Sequence, residues 1–468
     1  MAKNIKIKYL VFSESETSFG LELIFAVLSE RFKITYDKFD EKRPFCGDCD
    51  FVFVSLIWWE DLIRFIQVQE KYCIKPGTGP KVIVGGSAFN PHVLSGRYDA
   101  GVLGDGEVII CELLEDILSG GDGSSIPGVV TRSNINSPML YRTSPVVTPY
   151  IHTEIRRSSV PRIEIARGCK HKCPFCQVAA MKPYRELPTE IVLSLIKQVK
   201  GKSVGLFAPD RVDHSGFCEI QAGLKKIGKR DSSRDARFDS LSRIGDIVDG
   251  GLTLGLEGFS EYGRKLNRKA GKHDDVVGYF DMIFNRLKNS KGNRITTCQV
   301  YMILDLPTER EFDPFDEFER LLSDINSLCK DSFTMFLVAN TFSAKSFTRF
   351  SHDGIELYST AKERWDNMVS FGNNMKIAKR GGFLAPPRRI AQAICDRGDD
   401  RLSSLLKTMS TNGYKHLNSW NKLIVAELDF EIKKTGWKPS DVYGKTKKKL
   451  WFDNASIEKI KHKTAGPV

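Results

Sequence analysis

Three cysteines in one short loop, Cys169-Lys-His-Lys-Cys173-Pro-Phe-Cys176, are where this chain concentrates soft metal ligands. Thiolates this close together, leaving the apolar run Arg162–Ala166 through Gly168, can hold three corners of an iron–sulfur cube. The fourth iron is then left without a protein ligand. A free coordination position does chemistry, whereas a fully ligated cluster mainly carries electrons. The alternative is a structural zinc knuckle, which needs four Cys or His ligands. His171 would have to supply the fourth from inside the Cys169–Cys173 loop, and no second Cys-x2-Cys or His-x3-His pair follows at finger spacing. Cys46-Gly-Asp-Cys49 reads as a redox pair or half a metal site, in a loop with no partner pair.

The elements that must position the cysteine loop are legible from periodicity. Residues 1–120 alternate short apolar runs (Ile5–Phe12, Phe32–Phe39, Asp50–Ile57, Lys81–Val84, Asp99–Leu103) with amphipathic segments (Gly20–Arg31, Glu60–Tyr72, Val108–Leu118). Nearly uninterrupted apolar strands alternating with helices mean an α/β domain with a parallel sheet covered on both faces, a Rossmann-like arrangement. Gly, Ser, Thr, Pro and Asn crowd the stretch after Gly120, so 121–160 reads as a linker. From 161 to 350 the strand-like runs Arg162–Ala166, Ser203–Ala208, Asp235–Phe238, Leu252–Leu256, Thr297–Leu304 and Phe333–Val338 are separated by helical patterns. Residues 351–468 are mainly helical and basic, and read as an accessory region closing the mouth of the preceding domain.

With 468 residues the chain exceeds what one core usually supports, so about two or three domains are expected. It has no apolar run long enough to span a membrane and no charged-then-apolar leader, which predicts a cytoplasmic protein without membrane contact. Eleven cysteines, an odd number scattered along the chain, speak against a disulfide framework and for a reducing compartment. The net charge of +12 is partly concentrated in Lys225–Arg237 and in ten lysines between Lys433 and Lys463. Such patches suit a polyanion such as RNA or DNA, or are simply solvated faces.

The spacing Cys-x3-Cys-x2-Cys with Phe175 before the last cysteine resembles the signature of the radical S-adenosylmethionine (radical SAM) superfamily. The resemblance implies a partial (β/α)6 barrel with its site at the strand C-termini. It also implies a [4Fe-4S] cluster on Cys169, Cys173 and Cys176, and reductive cleavage of SAM to a 5'-deoxyadenosyl radical with an electron from a flavodoxin- or ferredoxin-like donor. Further matches carry it along the chain. Leu254-Gly-Leu-Glu257-Gly-Phe-Ser resembles the family's fourth-strand turn, whose glutamate approaches SAM, and Arg264 follows it where it could reach a carboxylate. Arg237-Phe-Asp239-Ser-Leu resembles the third-strand pattern that faces the barrel mouth. Asp210 stands where many relatives carry a Gly-Gly-Glu turn for the SAM amine, and Asp305-Leu-Pro-Thr-Glu309 stands where they show Gly-Leu-Pro-Gly-Glu. Phe175, Asp210, Asp239, Glu257 and Arg264 are therefore the implied cofactor-binding residues.

The turns after Val84 and Leu103 look like the second half of a cobalamin-binding-type domain, which makes cobalamin a further candidate cofactor, although the Asp-x-His-x-x-Gly motif is absent. Phe342-Ser-Ala-Lys345-Ser-Phe-Thr348 resembles a segment of cobalamin-type and methylthiotransferase-like members. Arg397-Gly-Asp-Asp-Arg401 with Trp420 matches a group whose substrates are mostly unassigned. The domain order suggests methyl or methylthio transfer to an unactivated carbon, with a nucleic acid as one possible substrate. Rearrangement or simple hydrogen abstraction is the enzymatic alternative. A non-catalytic, metal-stabilised nucleic-acid-binding protein is the alternative outside enzymes.

Overall fold

The computed structural model describes residues 4–12, 17–41, 45, 47–153, 160–243, 250–269, 271–289, 295–329, 334–356, 358–374, 378–380, 386–411, 430–443, 445–448, 450, 453 and 456–459. Cys46, Ser13–Glu16, Trp420 and the lysines from Lys461 onward lie outside them. The chain folds into two compact units, one of Met1–Val146, His152–Ser159 and Ala385–Val468, the other of Val147–Ile151 and Val160–Leu384. None of the described helices is long and apolar enough to cross a membrane.

The first unit is built on a six-stranded sheet. Strands β1 (Ile5–Val11), β2 (Ile34–Lys38), β3 (Phe51–Ser55), β4 (Lys81–Gly85), β5 (Ala100–Val102) and β6 (Val129–Val130) lie in the order β2-β1-β3-β4-β5-β6. All neighbours run parallel except β6, which is antiparallel to β5. The central strand Phe51-Val-Phe-Val buries four consecutive side chains, as a strand covered on both faces must. Helix α1 (Phe19–Arg31) starts where the Ser18 hydroxyl accepts the Leu21 amide, and lays Leu21, Phe25 and Leu28 on the sheet. Helices α2 (Trp59–Tyr72) and α3 (Ile110–Leu118) complete the alternation.

Two boundaries differ from the reading of the sequence. The stretch taken as a linker is structural up to Val146. It supplies β6 and a strand, Leu140–Thr143, that pairs in parallel with Ser456–Lys459. The helices after residue 385 belong with this first unit and not with the domain before them. Ser403–Thr411 and Pro386–Arg397 pack on α2, the Gln67 amide donates to Ser410 O at 2.7 Å, and Asn90 Nδ2 reaches Cys395 O and Gly398 O at 3.0 and 3.1 Å. Buried amides that need acceptors, rather than chain proximity, decide where these helices go. The Arg397–Arg401 motif serves the same packing. The Arg397 Nη2 group donates to Asp441 O at 2.6 Å, and Asp399 accepts from Trp437 Nε1 at 3.1 Å.

The second unit carries the six strands expected from the sequence, all parallel and in chain order. The first (Arg162–Glu164) pairs with the second (Ser203–Phe207), and the fourth (Gly250–Glu257), fifth (Ile295–Leu304) and sixth (Thr334–Thr341) pair in succession. An additional parallel strand, Ala378–Arg380, follows the sixth. The third strand is divided. Arg230–Asp231 pairs with the second strand and Asp235–Arg237 with the fourth, so one segment belongs to two sheets. The Arg211 guanidinium spans the division, donating to Asp231 Oδ2 at 2.7 Å and to Ser233 O and Asp235 O at 3.1 Å. Both charged side chains are essentially buried, 1% and 0% exposed, and Arg211 gives two of the carbonyls at the break a donor. The architecture is a curved, unclosed six-strand α/β arrangement. Leu252, Leu254, Val300, Met302 and Leu337 meet Phe280 and Phe318 in its larger core. Because the strands are parallel, the loops after their C-termini share one edge.

Candidate metal centre

The cysteine loop, Asp210, Asp239 and Glu257 follow strand ends on that edge. The cysteine loop leaves the first strand through Gly168, whose φ is +76° and whose missing side chain leaves room for two carbonyls. A Cβ there would sit 2.3 Å from Pro183 O and 2.4 Å from Lys182 O. Cys176 closes the loop with its amide on Cys173 O at 3.0 Å, and caps the helix Gln177–Met181. Burial pushes the Cys169 and Cys176 thiols up, and Cys169 is pushed further by charge on Cys173 and Cys176. Such a set resists ionising together until a metal takes the thiolates. The residues therefore fit a cluster with three protein ligands.

The two residues inside the loop hold it down. Lys170 donates to Asp213 O at 2.8 Å, pairs with Glu186 at 3.2 Å and lies 4.3 Å over the Tyr184 ring. The His171 imidazole meets Asp213 at 2.6 Å and Asp210 at 3.3 Å, which raises its pKa to about 9. His171 is thus engaged by two carboxylates of the loop after the second strand. Neither anchor was recognised in the sequence. The signal available was a pair of basic side chains between ligands with acidic residues after the second strand.

Each residue named from the sequence can now be placed. Phe175 packs on Leu306, Phe342, Ala344 and Phe350, with Lys269 Nζ 6.0 Å from its ring. Asp210 is buried and taken up by His171, the Ser240 hydroxyl and the Val212 amide. Asp239 accepts two 2.7 Å bonds from Arg237, the tie that holds its carboxyl below the usual range against the burial that would raise it. Arg237 in turn donates from Nη1 to Cys173 Sγ at 3.2 Å, which places a fixed cation on a cluster ligand. Glu257 ends the fourth strand with a left-handed φ of 69° and lies 3.6 Å from Lys269, whose ammonium also reaches Gly255 O at 3.2 Å. Burial pushes the Glu257 carboxyl up. Arg264 stands apart from this group. Its side chain is fully buried, donates to Phe259 O and Gly271 O, and lies 3.6 Å from Glu317.

Backbone strain collects here as well. Lys172, Glu257, Arg268, Asp305 and Phe347 all have left-handed φ between 50° and 69° without being glycine. Lys172 lies in the cysteine loop, Glu257 ends the fourth strand, Asp305 and Phe347 follow the fifth and sixth strands, and Arg268 follows the helix Glu261–Leu266; such residues cost of order 1 kcal/mol each, held in place by what surrounds them. Asp305 is held by Arg364 at 3.1 Å, and Arg310 bonds the Asp305 and Gly354 carbonyls.

Residues 163–318 match the family described as the radical SAM superfamily. They are a radical SAM domain. SAM and a [4Fe-4S] cluster are the cofactors that such a domain implies. An uncharacterized protein of Methanocaldococcus jannaschii is 24% identical over 257 residues, 52% of this chain and 53% of the relative. The chain thus spans about half the length of that curated relative. Among solved structures, the radical SAM methyltransferase TsrM of Kitasatospora setae, with tryptophan and a SAM analogue bound, is 15% identical. It covers 81% of this chain and 72% of its own, with a TM-score of 0.40. OxsB, a cobalamin-dependent SAM radical enzyme with aqua-cobalamin and SAM bound, is 11% identical over 92% of this chain and 71% of its own, with a TM-score of 0.46. Likeness at that level decides nothing about this chain's chemistry.

In the first unit, Gly86 and Gly104 each stand against the chain's own backbone. A Cβ on Gly86 would lie 2.1 Å from Leu56 O, and one on Gly104 2.0 Å from Arg142 O. Beside the second turn, Asp105 is buried and accepts the Ser144 amide at 3.0 Å. These glycines admit the chain's own backbone.

Proposed function

We propose that Cys169, Cys173 and Cys176 bind a [4Fe-4S] cluster whose open iron takes the amine and carboxylate of SAM. The observation that supports this is three thiols in one loop after the first strand of a region matching the radical SAM superfamily, Cys173 buried and the other two partly so, with Arg237 on Cys173. Once bound and reduced by an external flavodoxin- or ferredoxin-like protein, the cluster supplies the electron that cleaves the sulfonium to methionine and a 5'-deoxyadenosyl radical. The protein's share is positional. Gly168 and the Lys170 and His171 anchors set the loop, the Asp239 and Glu257 carboxylates suit a cationic cofactor, and Phe175 seals the loop against the segment after the sixth strand.

For the outcome, the order of a Rossmann-type unit followed by a radical SAM domain supports methyl or methylthio transfer to an unactivated carbon. Hydrogen abstraction or rearrangement is the second reading. Of the basic patch Lys225–Arg237, Lys225, Lys226 and Lys229 precede the third strand, at the end away from the thiols, and so lend a nucleic-acid substrate no support. Cobalamin keeps the support of the sheet topology alone, and no step is drawn through it.

The test is anaerobic reconstitution with iron and sulfide, followed by dithionite and SAM. Wild-type protein should yield 5'-deoxyadenosine, and Cys169→Ser, Cys173→Ser and Cys176→Ser should lose both iron and product. S-adenosylhomocysteine formed together with 5'-deoxyadenosine on addition of candidate substrates marks methyl transfer. A fully loaded cluster that leaves SAM intact, or zinc in place of iron, removes the proposal.

A further inference from the structure

We infer that Arg237 sets the reduction potential of the cluster by donating to the Cys173 thiolate. The inference rests on the cluster assignment above and concerns how readily that cluster accepts its electron.

The Arg237 guanidinium is held on three sides. Its Nε and Nη2 groups each donate to Asp239 at 2.7 Å, Nη2 also reaches Arg268 O, and Nη1 is left pointing at Cys173 Sγ at 3.2 Å. The side chain is only 7% exposed, so water screens it little. Arg268, which supplies the carbonyl, has a left-handed φ of 55°, a strained turn that brings its backbone to the guanidinium. The cation is thus placed by the protein whether or not the thiol carries iron.

A one-electron reduction adds one negative charge to the cluster and its thiolates, with the electron coming from a low-potential donor such as dithionite. A fixed positive donor on a ligand sulfur favours the more negative state, and hydrogen bonds to sulfur together with net charge set cluster potentials. Asp239 acts in the opposite sense, because its carboxylate offsets part of the guanidinium charge. Removing Arg237 and removing Asp239 must therefore move the potential in opposite directions. A residue that merely holds the fold together would not do that.

The experiment compares anaerobically reconstituted wild type with Arg237→Gln, Arg237→Lys and Asp239→Asn. Iron and sulfide content are measured first, and the reduced cluster is then titrated by electron paramagnetic resonance at set potentials. At one poise the reduced-to-oxidised ratio should fall about tenfold in R237Q, a shift of about 59 mV for one electron. It should fall less in R237K and rise in D239N. An R237Q protein with full iron and the wild-type midpoint overturns the inference. Should R237Q fail to load, D239N decides: a rise in midpoint supports the inference, and no rise overturns it. Wild type that loads no iron–sulfur cluster removes the cluster assignment itself, and this inference with it.

Discussion

Glu309 offers a test of the fold around the site that does not depend on any cofactor. Its side chain is buried, 2% exposed, and one carboxylate oxygen accepts the Ser260 amide at 2.8 Å and the Ser260 hydroxyl at 2.9 Å. The other oxygen is buried without a hydrogen-bond partner among the described residues. Burial outweighs the bonds from Ser260 and raises the carboxyl to about 7 from an ordinary 4.5. Since the folded carboxyl holds its proton more tightly than the unfolded one, its stabilising contribution is complete below pH 4.5 and is lost as pH rises through about 7. The span between those values corresponds to about 3 kcal/mol. Glu309→Gln keeps an oxygen for Ser260 and removes the ionisation. Urea unfolding of wild type and E309Q is therefore compared at pH 5, 6, 7 and 8. The two should be similar at pH 5, and the variant should gain progressively, reaching an advantage of a few kcal/mol at pH 8. A difference that stays flat with pH, or a variant less stable at pH 8, would refute the assignment of a buried, proton-binding carboxyl to this position.

Two further outcomes follow from the cysteine loop. Gly168→Ala places a Cβ against two carbonyls at a left-handed φ and should destabilise the chain by more than about 1 kcal/mol, read by thermal unfolding, with lower iron content after reconstitution. Wild-type iron loading in that variant would mean that the loop leaves the strand differently. His171→Ala strips the partner from the buried Asp210 and Asp213 carboxylates and should cost about 1–3 kcal/mol, with faster cluster loss in air. Unchanged stability and unchanged cluster lifetime would show that Lys170 alone anchors the loop.

The cysteine spacing, the strand–helix alternation and four of the five polar or aromatic positions named from them were legible in the sequence because they are local or periodic. Cys169, Cys173 and Cys176 lie in one loop, and Asp210, Asp239 and Glu257 each follow an apolar run that reads as a strand. Arg264 was misplaced for an equally local reason. It follows the fourth-strand turn by a few residues, but the helix it sits on turns its side chain inward to Phe259 O and Gly271 O, a direction that spacing does not encode.

By itself the sequence determined the three-cysteine loop, the parallel α/β class and the strand ends it follows, since a short motif and a run of buried strands are both local features of the chain. Only the tertiary structure decided what charge those thiolates feel. The Arg237–Cys173 bond joins residues from different strand–helix units, as does the His171–Asp213 pair, and the C-terminal helices join the first unit through Asn90 and Gln67. Contacts between distant segments follow from which buried donors find acceptors once the layers pack, and no periodicity along the chain records that.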